Sequence, residues 1–179
     1  MNLNEKTDLK KLSAAAVCLA LCLVLPFLTG QNPQIGSALS LMHIPVLLGG
    51  FVCGPWYAAA VGLLAPLLRS VMFGMPPLMP TGVSMAFELA AYGLSAGLLY
   101  KILPKKTAYI YVSLIAAMFI GRVVWGISRV LLFGVSGVEF SWQMFIAGAF
   151  VNAVPGIILH IALIPVIVLA LKNAGFLDA

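Results

Sequence analysis

The chain has 179 residues, 63% of them hydrophobic and only 8% charged, with a mean hydropathy of +1.11. Ordinary soluble domains carry about 45–50% apolar and about 25% charged residues, so a soluble fold is excluded. The formal net charge is +5, yet no basic stripe lies on a soluble face, which excludes nucleic acid as a partner.

The predicted class is an all-α integral membrane protein, a single domain over residues 1–179 with about six spans of roughly 20 residues each. The first span covers residues 10–28. Lys10 and Lys11 ahead of an apolar run give it the form of a signal peptide. The run is long for that role and no small-x-small cleavage site follows, so it reads as a retained helix. It carries Ala16-xxx-Ala20, a small-residue face of the kind that lets helices approach closely in lipid. Residues 29–38 form a polar connection. The second span, residues 39–53, is short and holds Pro45 and Gly49-Gly50, so it reads as tilted or partly re-entrant. Gly54-Pro55 marks a turn. The third span is residues 56–73. Residues 74–82 contain Pro76, Pro77 and Pro80, which stiffen the connection and exclude helix. The fourth span is residues 83–103, closed by Pro104-Lys105-Lys106. The fifth is residues 108–133, and residues 134–141 lead to the sixth, residues 142–171. Gly50-xxx-Gly54, Ala58-xxx-Gly62 and Gly93-xxx-Gly97 read as internal packing faces.

Lysines set the orientation. Lys6, Lys10 and Lys11, then Lys101, Lys105 and Lys106, then Lys172 all fall on one side of six spans. That side is the cytoplasm, so both termini are inside. The connections on the other side carry Glu139 as their only charge.

The informative residues are charged groups inside apolar spans. A charge at mid-bilayer costs about 2.5–3.5 kcal/mol on insertion scales, so it must face a protein interior or a wet cavity. Arg122 and Arg129 are seven apart on one helix face with Trp125 between them. At about 1.5 Å of rise per residue, Arg69, Glu88 and Arg129 share a level in the outer leaflet. Arg122 is deeper, level with Asn152. Tyr92 lies one turn below Glu88, and His43 starts the second span beside the first outer connection. The candidate substrate-binding residues are Glu88, Tyr92, Arg122, Trp125, Arg129, Asn152, His43 and Arg69, around a cavity open to the outside. The structural alternative pairs Glu88 with one arginine and lets another snorkel outward. His160 reads as a satisfied core histidine.

Cys18, Cys22 and Cys53 are odd in number and lack zinc spacing with the histidines, so they read as packing residues and no metal site is expected. There is no P-loop, no G-x-S-x-G elbow and only one buried acid, so neither ATP hydrolysis nor paired-carboxylate chemistry is expected. No cofactor is implied, and the chain does not read as an enzyme. By eye there is no inverted repeat of the kind found in symmetric secondary transporters.

Ala16-Val-Cys-Leu-Ala20, Leu41-Met-His-Ile-Pro-Val46 leading to Cys53-Gly-Pro55, and Arg69-Ser-Val-Met-Phe-Gly-Met-Pro-Pro77 through Ala86-Phe-Glu-Leu89 carry a resemblance over nearly the whole chain. With six spans and both ends inside, the sequence resembles the substrate-binding S-component of energy-coupling factor (ECF) vitamin transporters. The resemblance implies tight binding of a water-soluble vitamin near the outer surface of a prokaryotic cell membrane. It implies docking through Ala16 and Ala20 on a transmembrane T-component driven by two ATPases, and transport by toppling of the whole S-component in the lipid bilayer. Two or three arginines against one glutamate suit an anionic or zwitterionic ligand. Pantothenate fits by its carboxylate, and a vitamin-B6-type ring could stack on Trp125. Two competing expectations remain: a membrane scaffold of similar fold with no ligand, its buried charges paired internally, and a small intramembrane enzyme using Glu88 or His160.

Overall fold

The computed structural model describes residues 3–30, 32–135 and 141–177. These form eight helices: α1 (Leu3–Val24), α2 (Pro33–Leu39), α3 (His43–Val52), α4 (Pro55–Phe73), α5 (Val83–Ile102), α6 (Thr107–Val135), α7 (Trp142–Ile146) and α8 (Val154–Asn173). Six segments are long and apolar enough to cross a membrane: Asp8–Thr29, Gln34–Val52, Pro55–Phe73, Leu78–Ile102, Thr107–Gly134 and Val154–Asn173. No strand occurs among the described residues.

Proline, glycine and asparagine set the ends. After Val24 the chain tightens into a 3₁₀ turn, Leu25–Thr29, with Pro26 near its start. Gly30 closes it at φ 60°, a conformation glycine adopts without strain. Asn32 then caps α2, its Oδ1 accepting from the Gln34 N–H at 2.9 Å and the Ile35 N–H at 3.4 Å. Pro33 occupies the first helical position, where a missing N–H costs nothing. The expected polar connection over residues 29–38 is therefore mostly helix.

The second crossing is a broken helix. Ser40 takes a left-handed conformation at φ 49° and separates α2 from α3. The break exposes carbonyls that a continuous helix would satisfy, and the bundle supplies partners. The Ser40 carbonyl lies 3.3 Å from His160 Nε2, and the Met42 carbonyl accepts from the Cys22 thiol at 3.5 Å. Irregular backbone at membrane depth survives only with such partners.

Helix α3 is the centre of the bundle, with eight of its ten residues buried. Small residues let α3, α4 and α5 close on one another. A Cβ on Gly62 would lie 2.4 Å from the Leu89 carbonyl group, one on Gly93 2.5 Å from Ala58, and one on Gly97 2.6 Å from Pro55. The three small-residue faces thus serve internal contacts. Gly62→Ala should cost about 1–3 kcal/mol through overpacking against backbone that cannot rotate away. Thermal unfolding in detergent measures it, and an unchanged midpoint would contradict this packing. Cys18, Cys22 and Cys53 are all buried and free.

Two other connections differ from expectation. Residues Leu78–Gly82 form a wide helical turn in which the Gly82 N–H bonds the Pro77 carbonyl at 2.8 Å. The prolines exclude an α-helix there, but the fourth crossing still begins at Leu78 rather than at residue 83. The expected continuous sixth span over 142–171 is divided into α7, a wide turn Ala147–Val151, and α8, whose start holds Pro155. Proline lacks the N–H that would join α8 to the preceding turn. Residues 136–140, including Glu139, lie outside the described part.

The two ends of the bundle differ in charge. Lys172 Nζ donates to the Lys105 carbonyl at 3.0 Å, so the end of α8 meets the α5–α6 connection. Cys22 meets the Met42 carbonyl and Cys18 Sγ would lie 3.6 Å from a Cβ on Gly49, so α1 runs antiparallel to α3 and brings Lys10 and Lys11 to that same end.

Candidate functional site

At the opposite end from the lysines is a cavity of about 400 Å³. Its walls come from the end of the first crossing, α2, the α2–α3 break, the Pro-rich connection, α5, α6 and the turn before α8.

Glu88 is the hub of its floor. Arg122 Nη1 lies 3.0 Å from Glu88 Oε1. The Tyr92 hydroxyl, four residues on along α5, donates to the same oxygen at 3.0 Å. His43 Nε2, at the start of α3, is 3.6 Å away. Glu88 is 1% exposed, His43 3% and Arg122 8%. An isolated carboxylate at such a place would be prohibitively costly, and the guanidinium and hydroxyl offset that cost.

This pairing revises the depth expected from sequence, which set Glu88 level with Arg129 and Arg69. The fourth crossing starts five residues earlier, at Leu78. Glu88 therefore sits deeper than that level, within reach of Arg122. Asn152 was expected beside Arg122. It enters the wall from the turn before α8, with its N–H held by the Ala147 carbonyl at 2.9 Å.

The upper wall belongs to Arg129. Its Nη2 donates to Thr81 Oγ1 at 3.3 Å. Its guanidinium packs 5.2 Å from the Trp125 ring centre and 5.6 Å from that of Phe133. Trp125 is also stacked with Phe145 at 6.3 Å. Gly148 makes room for its edge, since a Cβ there would lie 2.6 Å from the indole. The indole thus packs between α6 and α7 while still lining the cavity.

Arg69 is 3% exposed and turned inward. It donates to the Leu23 carbonyl at the end of α1 and packs against Phe27 and Phe73, 4.8 and 5.3 Å from their ring centres. It satisfies a helix-end carbonyl and ties α1 to α4, while still lining the cavity. Outward snorkelling is replaced by this cap. Tyr92 stands behind Glu88, outside the wall, and seven of the eight candidate residues line it. His160 is buried against the Ser40 carbonyl and stacks with His43 at 6.0 Å.

Sequence reasoning missed Thr29, Asn32, Ser37, Ser40 and Thr81, which add hydroxyl and amide groups to the wall. Asn32-Pro33 was the available signal, because a capping residue followed by proline marks a helix start. Met42, Met75 and Met85, with Pro26, Pro76 and Pro77, supply flexible or rigid aliphatic lining.

Among the described residues, the buried side-chain nitrogens without a hydrogen-bond partner are both ring nitrogens of His43 and Nε of Arg129. All belong to cavity-lining side chains. An unmet buried polar group costs about 1–3 kcal/mol. No group of three or more His, Cys, Asp or Glu residues that could hold a metal occurs among the described residues. The cavity can hold a polar solute and favours negative charge, with three arginines against one glutamate.

A six-span bundle with a charged cavity at one end defines a membrane protein that binds a small polar solute. The chain belongs to the ECF transporter, substrate-specific component family, whose model matches residues 10–168. It is the substrate-binding membrane subunit of such a transporter and not an enzyme. Membership implies a small-molecule substrate, a T-component and ATPase partners. No curated protein and no solved structure is matched by the chain.

Proposed function

We propose that this subunit captures a water-soluble vitamin or closely related small anion from outside a prokaryotic cell and carries it across the plasma membrane. The observation that carries this is the arginine-rich cavity opposite the lysine-rich end. With the lysines in the cytoplasm, both termini are inside and the cavity faces out. The subunit then docks through Ala16 and Ala20 on the T-component and topples, driven by two ATPases. Eight residues, His43, Arg69, Glu88, Tyr92, Arg122, Trp125, Arg129 and Asn152, form or support the ligand site.

Pantothenate is favoured over a vitamin-B6-type ring. The Trp125 indole already packs on Arg129 and Phe145, and the methionine and proline lining suits an aliphatic chain. A ligand-free scaffold would pair its buried charges internally; Glu88 and Arg122 do so at 3.0 Å, whereas the Arg129 guanidinium donates to a hydroxyl, Thr81 Oγ1, and its Nε lacks a hydrogen-bond partner.

Mass spectrometry of small molecules released from the purified protein tests this reading. One vitamin-class anion is expected. Adding it back at 100 times its dissociation constant should stabilise the protein by about 2.7 kcal/mol in thermal unfolding. A purified protein that carries no solute and is stabilised by no vitamin would favour the scaffold.

A further inference from the structure

We infer that the cavity is bipolar, with His43 as the specificity-determining contact at its floor and Arg129 as the anion anchor at its upper wall. The inference rests on the ligand-binding reading above and specifies the shape of the ligand. Two independent observations carry it. The first is the position of the unmet buried nitrogens. They belong to two side chains that line the same cavity, His43 and Arg129. The second is how the remaining charges are spent. Arg122 is committed to Glu88 at 3.0 Å, and Arg69 to the Leu23 carbonyl, packed against two phenylalanine rings. Arg129 donates to a hydroxyl, Thr81 Oγ1, at 3.3 Å and packs on the Trp125 and Phe133 rings. Of the three cavity arginines, it is the one whose charge meets no carboxylate or backbone carbonyl among the described contacts.

The floor is chemically different. His43 Nε2 faces Glu88 Oε1 at 3.6 Å, and the Glu88 charge is already met by Arg122. A ligand carboxylate here would confront Glu88. An uncharged hydroxyl or amide can instead donate to or accept from the imidazole. Glu88 is therefore a positioning residue for His43 and Arg122. Arg122 and Arg129 are seven residues apart on α6, a rise of about 10 Å. The floor and the anchor are thus set apart along α6, and the cavity selects an elongated aliphatic acid with a carboxylate at one end and a hydroxyl or amide at the other.

Calorimetry on the purified full chain tests this, with pantothenate and pantothenol as probes. They share a chain and differ by a carboxylate against a primary alcohol. Wild type should bind pantothenol about tenfold or more weaker than pantothenate, the size of a lost charge-assisted hydrogen bond. Arg129→Gln should remove that difference by weakening pantothenate alone. His43→Leu should weaken both probes by a similar factor, and His43→Gln, which keeps a donor and an acceptor in a similar volume, should restore most of the loss. Equal wild-type affinity for the two probes overturns the inference. So does a His43→Gln or His43→Leu variant that folds and loses pantothenate alone, since that puts the carboxylate at the floor. Absence of pantothenate binding also overturns it. The transport reading then survives if a co-purified solute of other chemistry stabilises the protein, and fails with it if none does.

Discussion

Glu88→Ala should destabilise the protein by about 3–5 kcal/mol, the range for leaving one partner of a buried ion pair uncompensated. The carboxylate receives the Arg122 guanidinium and the Tyr92 hydroxyl at 3.0 Å each, in a setting where Glu88 is 1% exposed. Removing it leaves the buried Arg122 charge without its counter-charge and the Tyr92 hydroxyl without its acceptor at membrane depth. Replacing both charges should be much milder, because an ion pair exchanged for apolar residues of similar volume is often neutral. Glu88→Gln, which still accepts from Tyr92, combined with Arg122→Met removes both charges and is expected to unfold within about 1 kcal/mol of wild type; it should bind pantothenate more weakly through the altered His43 contact, while Arg129 still anchors the carboxylate. Thermal unfolding of the single and double variants in detergent decides this. A Glu88→Ala protein as stable as wild type would mean that Arg122 reaches water in the folded protein. The same reasoning makes Arg122→Ala alone a poor probe of binding, since it strands Glu88 and confounds loss of ligand with loss of fold.

Much of the site is legible in the sequence because burial of charge in lipid is so costly. Arg69, Glu88, Arg122 and Arg129 announce a polar interior by their presence in apolar spans. Which of them pair is not legible. Pairing depends on helix starts, and a shift of five residues at Leu78 moves Glu88 from the level of Arg129 to that of Arg122. The break at Ser40 is hidden for a different reason: its stabilising partner, His160, lies 120 positions away. The inward turn of Arg69 depends on Phe27 and Phe73, whose rings meet edge to face at 5.0 Å across two crossings. The role of Trp125 depends on Gly148 and Phe145 from the divided sixth segment. Local signals thus settle which segments cross. Contacts between distant segments settle what each polar group does.

Ala16→Trp should leave ligand affinity within about twofold of wild type and reduce cellular uptake of the bound solute to background, a loss of roughly a hundredfold. Association between helices in lipid rests on close van der Waals packing, so small residues matter where two helices must approach. The first crossing is the least buried of the six, with 22% of its most apolar stretch covered. Ala16 and Ala20 are both exposed on it, and Leu12 and Val24 continue that apolar surface above and below them. An indole at position 16 would fill the shallow notch and hold a partner helix several ångströms away, where dispersion attraction is largely lost. It would touch nothing in the cavity, which is walled by other helices and by the far end of this crossing. Val71→Trp is the matched control. Val71 is 78% exposed on α4, whose small-residue face, Ala58-xxx-Gly62, is buried inside the bundle, so an indole there faces lipid and should leave uptake unchanged. If Ala16→Trp transports normally, the T-component docks elsewhere. If Ala16→Trp loses binding as well as uptake, α1 shapes the cavity directly, and its exposed alanines cannot be assigned to the partner.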